Sequence, residues 1–353
     1  MRFAQHVSAF ARLINIIGPF LGLVLVIVLF SLSPTVRPHF LTGENFRLIL
    51  SQTVIVGVGA LGMTLIIVSG GIDLSVGSVV ALTSVVGAQM VVRGHASAVV
   101  AALITILAGA GIGAVNGAAI GGLRMIPFIV TLGMMGIARG AAKWMANNGT
   151  VNLRADDGTL GPEAHKLEAL MTSPTAPQTW HVPAFMAPVV SFVVVMPAGV
   201  WIVIGLAVIT GLMMRCTVFG RYVFAIGANE AAARLSGVRV RVQKVSIYTL
   251  AGAFFGVAGL MQLSQLTQGD PTGAIGLELD IIAAVVIGGA SLSGGSGSVL
   301  GSMIGALIMA VLRNGSTQMD WPNYMQEIII GLVIIFAVAM DQLRQKGRRA
   351  GEG

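Results

Sequence analysis

Residues 70–78 (GGIDLSVGS) and 288–296 (GGASLSGGS) agree at six of nine positions: the leading Gly pair, then Leu, Ser, Gly and Ser. Each stretch separates one apolar run from the next. Glycine frees a backbone to turn, and serine can cap the helix that follows. A carboxylate such as Asp73 is favoured beside a helix N-terminus. At the second break the matching position is Ser291, so charge is not required at both. The chemistry open to such residues is binding and gating. No face gathers the His, Asp or Glu cluster that an intramembrane catalyst would need. Gly71, Asp73, Ser75, Gly289, Ser291 and Ser293 are therefore candidates to line or gate a path. The alternative is that they are buried caps holding half-helices together, and Asp73 in particular reads as a structural cap.

The elements that carry these breaks are apolar. Of 353 residues 55% are apolar and 10% charged, against about 25% charged in ordinary globular domains. Such a chain has too little polar surface to be soluble. The expected fold class is all-α: a polytopic membrane protein of about ten transmembrane helices, some broken, with possible internal duplication. Candidate spans are 14–33, 47–69, 75–92, 97–122, 126–145, 188–214, 245–266, 279–290, 297–313 and 324–341. The run 279–290 is short, roughly 18 Å at 1.5 Å per residue. It is best read as a helix ending at the second break, inside protein. An inverted repeat would not pair these two breaks, so their likeness is evidence of shared backbone chemistry more than of duplication.

Cys216 is the single cysteine, and His6, His39, His95, His165 and His181 show no i,i+4 pair, so no metal site and no cofactor are expected. The net charge of +7 fits cytoplasmic Lys/Arg that set topology, not nucleic-acid binding. With both termini inside, Arg2, Arg12, Arg124, Arg215, Arg221, Arg234, Arg239, Arg241, Lys244, Arg344, Lys346, Arg348 and Arg349 are cytoplasmic. That is thirteen of the 21 Lys/Arg, clustered at 215–244 and 344–349. The first apolar stretch has no small-residue cleavage site, so no signal peptide is expected. The whole chain is expected to be one transmembrane domain, with an external, partly ordered Pro-rich loop at 146–187 and a cytoplasmic loop at 215–244.

Gly57, Gly59 and Gly62 match a dinucleotide fingerprint by letter but lie in an apolar span, where helix packing is the better account. There is no GxxxxGK[ST], so ATP hydrolysis is not expected of this chain. Asn116 sits on a small-residue face and should bond a neighbouring helix. Arg139, near the outer end of its span, either snorkels to the surface or lines a pore. Within 220–244 (GRYVFAIGANEAAARLSGVRVRVQK), Asn229 caps a short helix through Glu230, Ala231, Ala232 and Arg234, ended by Ser236 and Gly237. So short a helix needs a surface to dock on, a protein groove or the lipid headgroups.

These motifs resemble those of the permease subunits of bacterial ABC importers for monosaccharides of the ribose, xylose and arabinose type. The resemblance rests on GGIDLSVGS (70–78), PFIVTLGMMGIARG (127–140), GRYVFAIGANEAAARLSGV (220–238) and AAVVIGGASLSGGSGSVLGS (283–302), and covers roughly 47–341. It implies an inner-membrane permease that pairs with a second copy or a paralogue, a separate ATPase subunit and a periplasmic sugar-binding protein. It also implies that Asn229, Glu230, Ala231, Ala232, Arg234 and Gly237 form the coupling helix seated in the ATPase. A sugar path is neutral and admits hydroxyls, which favours Ser75, Ser291 and Ser293. A branched-chain amino-acid permease, and a secondary transporter or channel, are the alternatives.

Overall fold

A computed structural model describes residues 18–174 and 192–350. Residues 14–17, 175–187 and 188–191, with Arg2, His6, Arg12 and His181, lie outside the described residues. Fourteen described helices follow in order: α1 (Gly18–Ser31), α2 (Arg37–Phe40), α3 (Gly43–Val68), α4 (Val76–Val92), α5 (Ala98–Gly122), α6 (Pro127–Met145), α7 (Pro162–Glu168), α8 (Ala198–Cys216), α9 (Val218–Ala228), α10 (Glu230–Leu235), α11 (Val240–Leu266), α12 (Leu277–Ile287), α13 (Val299–Gln318) and α14 (Asn323–Ala350). Strands β1 (Val151–Asn152) and β2 (Gln268–Gly269) pair antiparallel, Val151 opposite Gly269.

Helices α3, α5, α8, α11 and α13 are long and apolar enough to cross a membrane. Within α3 83% of the apolar stretch is buried, but within α5 only 28%. The core is thus α3 with α8, α11, α12 and α13 around it, and α4 packs on α5, α6 and α11, while α5 turns Leu103 and Leu107 outward. An outward stripe of leucine suits lipid and not water. The other face of α5 carries Gly109 and Gly113, which press on α11: a Cβ on Gly113 would collide with the Tyr248 carbonyl oxygen. This is the small-residue seam by which helices approach closely in lipid. Gly59 and Gly62 in α3 serve the same purpose against Ile281 and Ala251, so the fingerprint-like letters are packing positions. The Thr64 hydroxyl donates to Ser302 Oγ of α13 at 2.7 Å, one of the few polar links between the spans.

The segment after α6 is anchored at its start. Leu153 N–H donates to the Thr267 carbonyl, and Ser264 Oγ donates to the Leu167 carbonyl at 2.6 Å. Glu163 accepts from the Ala98 N–H at 2.7 Å and so caps α5. Residues 215–244, expected as a loop with one short helix, hold two helices. The additional one, α9, buries Gly220, Val223 and Ile226. At only eleven residues, the segment lacks the length by which a span announces itself.

Candidate functional site

At the first break Ser69 is the C-cap of α3, and Gly70 takes a left-handed turn (φ 83°). Asp73 is fully buried and accepts from both the N–H and the hydroxyl of Ser75, at 2.7 and 2.6 Å. This is an Asx turn, a side chain imitating a backbone turn. Ser75 was expected to cap α4 and does not: its hydroxyl is committed to Asp73 and accepts from Asn116 Nδ2 of α5 at 3.2 Å. The expectation for Asn116 therefore holds. Thr131 of α6 accepts from the Leu74 N–H at 3.1 Å, and Gly71 lies under the Tyr248 hydroxyl of α11. The break is sewn to three helices.

The second break begins at Gly289, also left-handed (φ 90°). The Ser291 N–H donates to the Ser296 carbonyl at 3.0 Å; Ser291 is buried and Ser293 exposed. The two breaks meet. Gly295 N–H donates to the carbonyl of Val68, the last residue of α3, at 2.8 Å. A Cβ on Gly294 would lie 2.9 Å from Gly70 Cα and 2.8 Å from the Gly227 carbonyl oxygen. Gly227 is in the last turn of α9, two residues before Asn229. One contact therefore joins both breaks and the lead-in to α10. Nothing local in the sequence signals it.

In α10 the Asn229 side chain accepts from the Ala232 N–H at 3.0 Å, as its position predicted. The Gly237 N–H reaches the Arg234 carbonyl and the Val238 N–H the Ala233 carbonyl. With Gly237 left-handed (φ 86°), this is a Schellman C-cap. Glu230 binds Arg234 at 2.8 Å and Lys244 of α11 at 2.7 Å. The Lys244 ammonium, hydrogen-bonded to it, holds the Glu230 carboxyl below the usual carboxylate range, and Arg234 adds to this. Ala231, Ala232 and Leu235 are exposed, Leu235 at 91%.

A polar cavity of about 470 Å³ opens at the far end of the bundle, where α3 begins and α11 and α13 end. Gln52, Gln262, Gln265, Asn323 and Gln326 line it, with the buried Asp280 paired to Arg313. Among the described residues, Gln52 Oε1 and Gln262 Oε1 are buried acceptors with no partner. Sequence reasoning did not single out these residues. The signal was present, since an amide or carboxylate inside an apolar run is costly without a purpose. Arg139 neither snorkels nor lines this cavity: its Nη1 donates to the carbonyls of Pro271 and Gly273, at 3.1 and 2.8 Å, fastening the loop before α12. Among the described residues no group of His, Cys, Asp and Glu could hold a metal.

Apolar helices closed on an amide-lined cavity, with an irregular double break opposite, make a polytopic transport permease of the membrane. The chain belongs to the family described as "Branched-chain amino acid transport system / permease component", whose model matches residues 45–338. It is 37% identical over 329 residues to the ribose import permease of Escherichia coli strain K12, covering 92% of this chain and 94% of that one. It is 34% identical to the arabinose ABC transporter permease of Azospirillum brasilense, over 93% of this chain and 89% of that one. With the xylose transport permease of E. coli K12 it shares 34% over 87% of each. No solved structure matches. The resemblance drawn from the four motifs is borne out by these relatives.

Proposed function

We propose that this chain is the translocating subunit of an ATP-driven importer for a monosaccharide, a pentose or a hexose. It sits in the bacterial inner membrane with both termini cytoplasmic. One observation carries the reading: the cavity is lined by five amide side chains, whose oxygens are acceptors, in an otherwise apolar bundle. Sugar hydroxyls donate to such acceptors, and the one ion pair in the cavity, Asp280 with Arg313, neutralises itself. The names of the relatives, permeases for ribose, arabinose and xylose, point the same way. The cavity faces outward in this reading, where a periplasmic sugar-binding protein would deliver its cargo. The joined breaks form the inner floor: Gly71, Asp73 and Ser75 on one side, Gly289, Ser291 and Ser293 on the other. They act as a gate rather than as a lining.

Helix α10 is the coupling helix of this reading. Its exposed Ala231, Ala232 and Leu235 meet a separate ATPase subunit, while Asn229, Glu230, Arg234 and Gly237 hold its shape. The contact of Gly227 with Val68 and Gly294 would then carry ATPase movement to the floor. The chain performs no hydrolysis itself, and a second permease copy or a paralogue completes the path.

The test is reconstitution with the ATPase subunit and binding protein, scoring uptake of labelled ribose, xylose and leucine. Pentose uptake that requires ATP and drops about tenfold in Gln262→Leu is expected, from roughly 1–3 kcal/mol for an unpaired polar contact. Leucine uptake without pentose uptake would favour the amino-acid reading of the family name. Uptake abolished by an ionophore but indifferent to ATP would favour a secondary transporter.

A further inference from the structure

A second concavity, of about 460 Å³, lies at the α10 end, between the end of α5, α10 and the start of α11. Arg124, Arg234, Arg239, Arg241 and Lys244 line it, with Glu230 as its one carboxylate. Glu230 is shared by Arg234 and Lys244. Among the described residues, Arg124, Arg239 and Arg241 have no carboxylate partner. The pocket thus keeps an excess of positive charge. It also contains the N-terminus of α11, a 27-residue helix whose first turn has no acidic residue and no side-chain cap. The positive end of the helix dipole reinforces the cations there.

The rim is different in kind. Leu123 and Ile126, in the short turn between α5 and α6, are 75% and 62% exposed, and Phe128 and Ile129 continue the apolar surface along α6. Cations in a concavity, bordered by apolar side chains on spans, match a phosphate held at headgroup depth with hydrocarbon beside it. We propose that this pocket binds the phosphate of an anionic phospholipid, whose acyl chains run over Leu123 and Ile126. The apolar rim selects the lipid over a free phosphate, which would gain nothing from it. An acidic protein partner is a weaker match, because the exposed Ala232 and Leu235 turn away from Glu230 around α10. The bound headgroup joins Arg124 of the α5–α6 turn to Arg239 and Arg241 of α11, steadying the seat of α10.

The full chain purified in a neutral detergent, titrated with phosphatidylglycerol or phosphatidylcholine, tests this by native mass spectrometry of lipid adducts and by melting temperature. Phosphatidylglycerol should bind tightly and raise the melting temperature; phosphatidylcholine should do neither. Arg124→Gln with Arg241→Gln should weaken phosphatidylglycerol binding about 25-fold, from roughly a fivefold loss per cation. Arg93→Gln, after α4 at the other end, should leave it unchanged. A salt series on the unaltered chain needs no folded variant, and affinity should fall as salt rises. Equal binding of the two lipids, or indifference to salt, would overturn the proposal. So would equal stabilisation by inorganic phosphate, which would mark a free-phosphate site. If the double variant keeps phosphatidylglycerol but loses the ATPase subunit on co-purification, the cations serve a protein partner instead.

Discussion

Asp73 spends one carboxylate oxygen on two donors, the N–H and hydroxyl of Ser75, in a buried site. An amide can still accept there, so Asp73→Asn should keep most of its uptake and melt within about 1 kcal/mol of the parent. Asp73→Leu leaves the Ser75 N–H buried and unpaired and should cost about 1–3 kcal/mol. Thermal unfolding beside uptake decides it, and a transport-dead but stable Asp73→Asn would give the charge a direct role. Glu230 makes a pH prediction. Its folded carboxyl is held below the unfolded value of about 4.3. The contribution is therefore full above that value and is lost as pH falls through the lower folded one. The pair is partly exposed, so the effect is small, about 0.5 kcal/mol after screening. Hydrogen exchange at residues 230–238 should quicken below about pH 4.3 in the parent, relative to the intrinsic rate. Glu230→Gln should remove that pH dependence, and an identical profile in the variant would mean the ion pairs do not hold α10.

Helix α5 carries its own control. Gly113 presses on the α11 backbone, whereas Gly111, on the same helix, has nothing near it. Gly113→Leu should cost about 3 kcal/mol or more through overpacking and sharply lower the amount of folded protein. Gly111→Leu, facing lipid, should be tolerated; equal loss in both would place the α5–α11 seam elsewhere. Elements of this kind were legible because their cause is local. The Gly/Ser breaks interrupt apolar runs, the short α12 ends where the second break begins, and Asn229 and Gly237 bracket α10 with standard caps. Helix α9 was hidden because its eleven residues are too few for a span. The cavity was hidden because Gln52, Gln262 and Asp280 lie in three separate runs and become a set only when α3, α11 and α12 pack together.

Over the whole molecule, the informative fact is that both breaks share a contact with Gly227, across more than 150 residues of sequence between Gly70 and its partner. Three backbones meet there with no side chain between them, a joint that permits either rigid attachment or sliding. If ATP-driven movement of α10 reaches the floor through this joint, fixing it should stop transport without dissolving the assembly. Ala228 and Gly295 offer the means: a Cβ built on Gly295 would lie 3.1 Å from the Ala228 Cβ, close to the spacing of about 3.5–4.5 Å that a disulfide spans. With Cys216→Ser as background, Ala228→Cys plus Gly295→Cys should crosslink on oxidation. Gly295 is left-handed (φ 73°), so a side chain there carries a strain of about 1–2 kcal/mol. The single variant Gly295→Cys is therefore the reference. Relative to it, the oxidised pair should lose uptake at least tenfold while the ATPase subunit still co-purifies, and a reductant should restore uptake. Transport that continues with the crosslink formed would show that the two breaks and α9 move as one piece, and that opening of the path begins elsewhere.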